Sequence, residues 1–448
     1  MNKNNYSSAF ATLVILFFMW GFLTSLNDIL VPHLKAAFDL KHWQAQLIQF
    51  FFFGAYFVMS WPSGYIIKKL GYQKGIILGL SLMGLGCLLF YPASIVKVYA
   101  VFLLALFVLA SGITILQVAA NPYVAILGPA STAASRLNLA QGFNSLGHTV
   151  APLIGAWLIL ENVQEVSVET VQVPYIGIAI ALFGLAGIFF FVKLPAIVYR
   201  EVKKKAFRLK DHPHLMLGAV AIFCYVGAEI AVGSFLVEYF KLPKVLGLEP
   251  KTAGNYVAFY WGGAMVGRFL GAISLSEMGK NKAMAMLGVP ILAFLVVLFV
   301  VNIKGLDTSL AYGFGVMMTL NYLAFFLGKS IPARLLAVFA LCCMTLLAIT
   351  MASSGKIALW SILGIGLFNS IMWSNIFTLA IDGLEENTSF GSSLLVMMIV
   401  GGAIIPVIQG LVADIEGIGV AYSFVVPMIA YSYLVFYGVK GYKAGRLT

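Results

Sequence analysis

Charge is what this sequence has least of: Asp, Glu, Lys and Arg together make up 10% of its 448 residues. A soluble domain of that size could not cover its surface with so few ionic groups, and the 61% hydrophobic fraction excludes that class as well. Cysteine is scarce too. Cys87, Cys224, Cys342 and Cys343 all fall inside apolar runs and suggest neither a disulfide framework nor a metal site. A Gly-x-x-x-x-Gly-Lys-Ser/Thr loop is missing, which argues against ATP hydrolysis by this chain, and His148 stands in its segment without the neighbouring ligands of a catalytic metal. The chain is therefore not expected to be an enzyme or to need a cofactor.

What is present in quantity is apolar sequence. Runs repeatedly reach the ~20 residues that cross a bilayer as a helix, and they are too long for the short alternating strands of a transmembrane barrel. Segmentation gives fourteen spans between residues 9 and 439, so the fold class is an all-α polytopic membrane protein. The first span is too long, and too polar at Asn27 and Asp28, to be a cleaved signal. The formal net charge of +11 raises the question of nucleic acid, but the basic residues follow topology instead. Eight of the 28 (Lys35, Lys41, Lys97, Lys241, Lys244, Lys251, Lys304 and Lys356) lie on one side of the map, and the other 20 lie on the side that holds both termini. By the positive-inside rule, both termini are expected in the cytoplasm.

Residues 194–212 carry Arg200, Lys203, Lys204, Lys205, Arg208 and Lys210, a cationic linker between residues 1–193 and residues 213–448. A topology determinant and a contact to lipid headgroups both suit such a cluster. The two halves echo one another. Phe18-Met19-Trp20-Gly21 matches Cys224-Tyr225-Val226-Gly227 at an offset of 206, while Asn121, Gly147 and Pro152 match Asn375, Gly401 and Pro406 at an offset of 254. The difference is about two membrane helices with their connections. Two six-helix bundles with an inserted pair near residues 281–330 are therefore expected, and repeated halves of this kind enclose a midplane site in alternating-access transporters.

The polar residues inside the spans are few, which makes each a candidate. Asp28 is a carboxylate at a depth where an ionisable group costs roughly 2.5–3.5 kcal/mol on insertion scales, so it marks an ion or substrate path unless it snorkels to the interface. Thr114, Gln117 and Asn121 share one face of the fourth span, where Pro122 releases a backbone carbonyl. Gln141, Asn144, Ser145 and His148 share one face of the fifth. Uncharged amide stripes suit ligands rich in hydroxyls, and they also suit hydrogen bonding that merely holds a bundle together. Trp20, Tyr256, Tyr260, Trp261 and Trp373 are candidates for stacking on a sugar ring. Glu229 is a second intramembrane acid, fitting either a ligand contact or a packing role, and Asn255 and Asn375 complete the set.

Three blocks are similar to a known family: Thr24-Ser25-Leu26-Asn27-Asp28-Ile29-Leu30-Val31-Pro32, Gln117-Val118-Ala119-Ala120-Asn121-Pro122-Tyr123, and Arg136-Leu137-Asn138-Leu139-Ala140-Gln141-Gly142-Phe143-Asn144-Ser145-Leu146-Gly147. They resemble the fucose-galactose-glucose:cation symporter family of the major facilitator superfamily, and the likeness resumes at Phe223–Ala228, Asn255-Tyr256 and Gly267-Arg268. The resemblance implies the major facilitator fold and cation-coupled hexose uptake across the bacterial inner membrane. L-fucose permeases carry glutamate where this chain has Gln117, so the resemblance leans to the glucose/galactose branch. It implies Asp28 with Asn27 and Gln117 as the coupling site, with sodium or a proton as the cation and Asp28 as a candidate sodium ligand. Sugar contacts are then expected from Gln117, Asn121, Gln141, Asn144, His148, Glu229, Asn255, Trp373 and Asn375. The expected partners are a small sugar, a monovalent cation and membrane lipid, with no nucleic acid, for a monomeric carrier. Proton-coupled L-fucose or N-acetylglucosamine uptake, and drug export on the same fold, are the alternatives.

Overall fold

The structure is a computed structural model that describes residues 3–40, 42–155, 168–192, 194, 208–303 and 307–445. All regular elements among them are helical. Fourteen helical segments follow one another: α1 Lys3–Ala37, α2 His42–Leu70, α3 Tyr72–Val96, α4 Tyr99–Ile126, α5 Ala133–Gly155, α6 Gln172–Phe191 and α7 Pro213–Lys241. After these come α8 Pro250–Ser274, α9 Lys282–Ile303, α10 Ser309–Gly328, α11 Pro332–Ala352, α12 Gly355–Ile381, α13 Glu385–Ala413 and α14 Gly419–Val439. Among the described residues, eleven helices are long and apolar enough to cross a membrane. Proline sits in the first turn of α7, α8 and α11, where its missing N–H costs nothing and its fixed φ favours helix. Gly71, at φ 82°, makes the tight link from α2 to α3 that a side chain would strain.

By contacts the chain forms two units. The first holds residues 1–128, 143–207 and 381–400. Its helices approach closely through glycine: Gly112 faces the backbone of Gly79 and Met83, and Gly86 faces Leu109. Gly147 lies against the Phe18 carbonyl and Gly21 against the Asn144 carbonyl, so α5 crosses α1 backbone to backbone. The opening stretch of α13 packs on α2, where Gly64 meets Ser393 and the Lys68 ammonium lies 4.8 Å from the Phe390 ring centre.

The second unit holds residues 129–142, 208–380 and 401–448. Here Gly401 lies against the Phe223 carbonyl and Gly227 against Ile405, so α13 crosses α7 at the same pair of glycines that the sequence echo relates to Gly147 and Gly21. The start of α5 belongs to this unit, with Ser131 donating to Glu277 at 2.7 Å and Ser135 to the Ala272 carbonyl at 2.5 Å. Burial separates the helices by role. Within the span windows α12 is 89% buried and α4 78%, whereas α9 is 11% buried and turns Leu292, Leu295 and Phe299 outward, as a helix bathed in lipid does.

Candidate functional site

In the first unit the site is built on α4. That helix is buried without interruption from Leu109 to Ala125, so the amides of Gln117 and Asn121, one turn apart on one face, must find polar company. The Gln117 amide donates to the Tyr56 hydroxyl of α2 at 2.9 Å. The same hydroxyl is hydrogen-bonded by the Trp20 indole of α1. An indole N–H only donates, so the tyrosine oxygen accepts twice and keeps its own proton to give. The Gln117 carbonyl oxygen, though buried, has no partner among the described residues. A donor from Tyr56 and an acceptor from Gln117 thus stand side by side without charge, which suits a ligand hydroxyl that must both give and take a hydrogen bond.

The other first-unit candidates divide by what already occupies them. Asn144 is buried and gives its amide to the Phe17 carbonyl at 3.0 Å, tying α5 to α1. Thr114 is spent on its own helix, at the Ala110 carbonyl 2.8 Å away. His148 is half-buried on α5. Asn27 and Asp28 lie in the regular helix of α1, and their side chains are outside the described residues.

The second unit is charged where the first is neutral. Glu229 of α7 and Arg268 of α8 are both nearly buried, with Oε1 3.7 Å from the guanidinium. The Tyr225 hydroxyl donates to the same oxygen at 2.8 Å, and Tyr260 donates to the Glu229 backbone carbonyl at 3.0 Å. From Tyr260 the chain of bonds runs to the Asn369 amide at 2.8 Å, whose carbonyl oxygen accepts from Tyr431 at 2.7 Å. A carboxylate and a guanidinium taken out of water together hold each other in place, and removing either leaves the other uncompensated. Trp373 of α12 is 7% exposed and stacks on Phe377, and its indole N–H has no partner among the described residues.

The remaining candidates on the second unit carry less. Asn375 is buried and holds the Pro332 carbonyl at 3.1 Å, a bond that pins α12 to the start of α11. Gln141 is buried in the stretch of α5 that joins this unit, and Asn255 is exposed near the start of α8. Tyr56, Tyr225, Arg268, Asn369 and Tyr431 are not among the site candidates that the sequence offers. Arg268 was discoverable, since an arginine inside a span implies an intramembrane acid and Glu229 is available. The tyrosines were hidden among the 20 of the chain, in an aromatic fraction of 14%.

The sequence matches the family profile described as Major Facilitator Superfamily over residues 10–338. The chain belongs to that superfamily. Within it, the chain is 46% identical to a glucose/galactose transporter of Brucella abortus, over 99% of this chain and 96% of that one. It is 40% identical to a putative glucose/galactose transporter of Helicobacter pylori over 99% of each chain. Against the L-fucose-proton symporter of Escherichia coli it is 33% identical over 93% of this chain and 89% of the other. Among solved structures it matches the crystal structure of the major facilitator transporter FucP in the outward conformation, with a TM-score of 0.79 and 31% identity over 97% of this chain and 98% of that one. The resemblance to the fucose-galactose-glucose:cation symporter family therefore holds over the whole length, with fourteen helical segments among the described residues.

Proposed function

We propose that the protein is a secondary carrier that takes a hexose such as glucose or galactose into the cell together with a cation, by alternating access. The full-length likeness to glucose/galactose transporters supports the substrate class. The observation that carries the reading is Gln117: its amide is spent on Tyr56, while its buried carbonyl oxygen has no partner among the described residues, the arrangement a bound sugar hydroxyl would complete. Residues 1–193 and 213–448 are read as the two repeats that rock about the site, with 194–212 as the cytoplasmic linker between them and both termini in the cytoplasm. Trp373 and Glu229 are the sugar contacts expected of the second repeat.

Coupling is assigned to Asp28. A bare carboxylate is costly to occlude and a neutralised one is not, so the loaded carrier crosses more readily than a half-loaded one. Because position 117 is an amide, no second acid on α4 assists proton capture, and sodium is the favoured cation, with oxygen ligands from Asp28, Asn27 and Gln117. Uptake of labelled glucose, galactose, L-fucose and N-acetylglucosamine into proteoliposomes, with sodium and pH gradients imposed separately, tests both points. Sodium-driven accumulation of glucose or galactose is expected. Acid-driven uptake without sodium would reassign the ion to a proton, and failure to move any hexose would remove the reading.

A further inference from the structure

The inserted helix pair divides into two unlike helices. α9 is almost wholly exposed along its span, whereas α10 lies along α12 in register: Gly313 faces Trp360, Met317 faces Gly364 and Asn321 reaches Leu367. Asn321 is fully buried. An asparagine placed there at the cost of desolvation needs a polar partner, and its amide donates to the Leu367 carbonyl at 3.1 Å.

That carbonyl is unusual. α12 is regular over Gly355–Asn369 and again over Met372–Ile381, and Ser370 and Ile371 between them form a turn. The Ile371 amide, which would serve the Leu367 oxygen in an unbroken helix, makes no such bond, and that oxygen takes the Asn321 amide and the Ser370 hydroxyl, at 2.6 Å. Side chains inserted into a helical ladder are a recognised cause of a local kink. Around the break every exit is held: Asn369 is gripped by Tyr260 and Tyr431, the Ser370 carbonyl accepts from Arg268 at 3.3 Å, and Gly267 leaves room for Ser370. The first aromatic after the break is Trp373, whose indole N–H waits unpartnered among the described residues.

We infer that Asn321 is a positioning residue: by occupying the Leu367 carbonyl it keeps α12 broken and thereby sets where Trp373 presents its indole, so that the inserted pair acts on substrate binding through α10. The inference rests on the carrier reading above, in which Trp373 contacts sugar. Were the Leu367 oxygen to recapture the Ile371 amide, the helix would close up and turn the segment that carries Trp373.

The test is Asn321→Leu, compared with wild type and with Phe299→Leu on the outward face of α9. Sugar KM for Asn321→Leu should rise about tenfold, equivalent to about 1.4 kcal/mol. The change in tryptophan fluorescence on adding sugar should fall to the level of Trp373→Phe, a subtraction needed because the chain has seven tryptophans. Ser370→Ala, which strips the same carbonyl of its other donor, should shift KM in the same direction, and Phe299→Leu should leave it unchanged. If Asn321→Leu does not fold, Asn321→Ser, which is small and polar, takes its place with the same readouts. A variant with wild-type KM and a wild-type fluorescence change overturns the inference, even if its thermal stability falls. Wild type that neither transports nor responds to hexose fails the carrier reading instead, so the two failures are told apart.

Discussion

α4 and α12 occupy matching places in the two sequence halves, related by the offset that pairs Asn121 with Asn375, yet they solve the problem of polarity in a membrane differently. α4 is one continuous helix from Tyr99 to Ile126, and its polarity is carried by amide side chains that borrow a tyrosine from α2. α12 is interrupted after Asn369, and its polarity lies in backbone that the interruption exposes, beside the Glu229–Arg268 pair. Neutral amides can be left half-satisfied for a ligand at modest cost, whereas a buried ion pair and a freed carbonyl must be fully held by the protein. Change at the half-satisfied Gln117 of the first unit is therefore expected to show in binding. Change at the Glu229–Arg268 pair of the second is expected to show in stability.

The largest effect that could break this contrast is at Arg268. Arg268→Leu should lower stability by about 3–5 kcal/mol, because it strands the Glu229 carboxylate. Adding Glu229→Gln should restore much of the loss in a thermal melt of the purified protein. Recovery would locate the penalty in the unpaired charge, and no recovery would mean that the guanidinium matters through its bond to the Ser370 carbonyl.

The sequence reached some of this and missed the rest for identifiable reasons. The number of helices was legible because apolar runs of bilayer length are long-range signals: a helix pair was expected near residues 281–330, where α9 spans Lys282–Ile303 and α10 Ser309–Gly328. The crossing glycines were legible as repeats, since Gly147 and Gly401 recur at the offset of Asn121 and Asn375. The break in α12 was not. Neither proline nor glycine marks Asn369-Ser370-Ile371, and the interruption depends on Asn321, which is far away in sequence. Which amides are already spent within the bundle was equally hidden, because Gln117 and Asn144 look alike in sequence and differ only in what their neighbours leave unpaired.

The next sharpest test is Gln117. Gln117→Ala should weaken sugar binding by about 1–3 kcal/mol in equilibrium binding or counterflow while leaving the melting temperature near wild type. Gln117→Glu, which brings a carboxylate to the first unit, should move coupling from sodium towards protons. A large loss of stability in either variant would erase the distinction between the units.

Asn144→Ala should act in the opposite sense. Its amide is committed to the Phe17 carbonyl, so the expected loss is about 1 kcal/mol of stability with sugar affinity little changed. Weakened sugar binding at unchanged stability would show that Asn144 faces ligand after all.

The smallest effect lies outside the membrane, where the loop before α10 is pinned to α12. Asp307 accepts from the side chain and backbone of Ser309 and pairs with Lys356 at 3.5 Å, and these bonds hold its carboxyl below the usual carboxylate range. A carboxyl depressed on folding adds stability that is present near neutral pH and is lost as pH falls through the folded-state value. Because Asp307 is fully exposed, the effect should be slight and weakened by salt. Wild type and Asp307→Asn should differ in melting temperature at pH 7 and converge as pH falls below the carboxylate range. A gap that persists in acid would refute the assignment.

The proposed coupling of hexose to a cation at Asp28 is tested most directly by Asp28→Asn in proteoliposomes. The amide imitates a neutralised carboxylate, so the variant should still exchange labelled hexose across the membrane in counterflow but fail to concentrate it when a sodium or proton gradient is imposed. Accumulation at the wild-type level by Asp28→Asn would contradict the account.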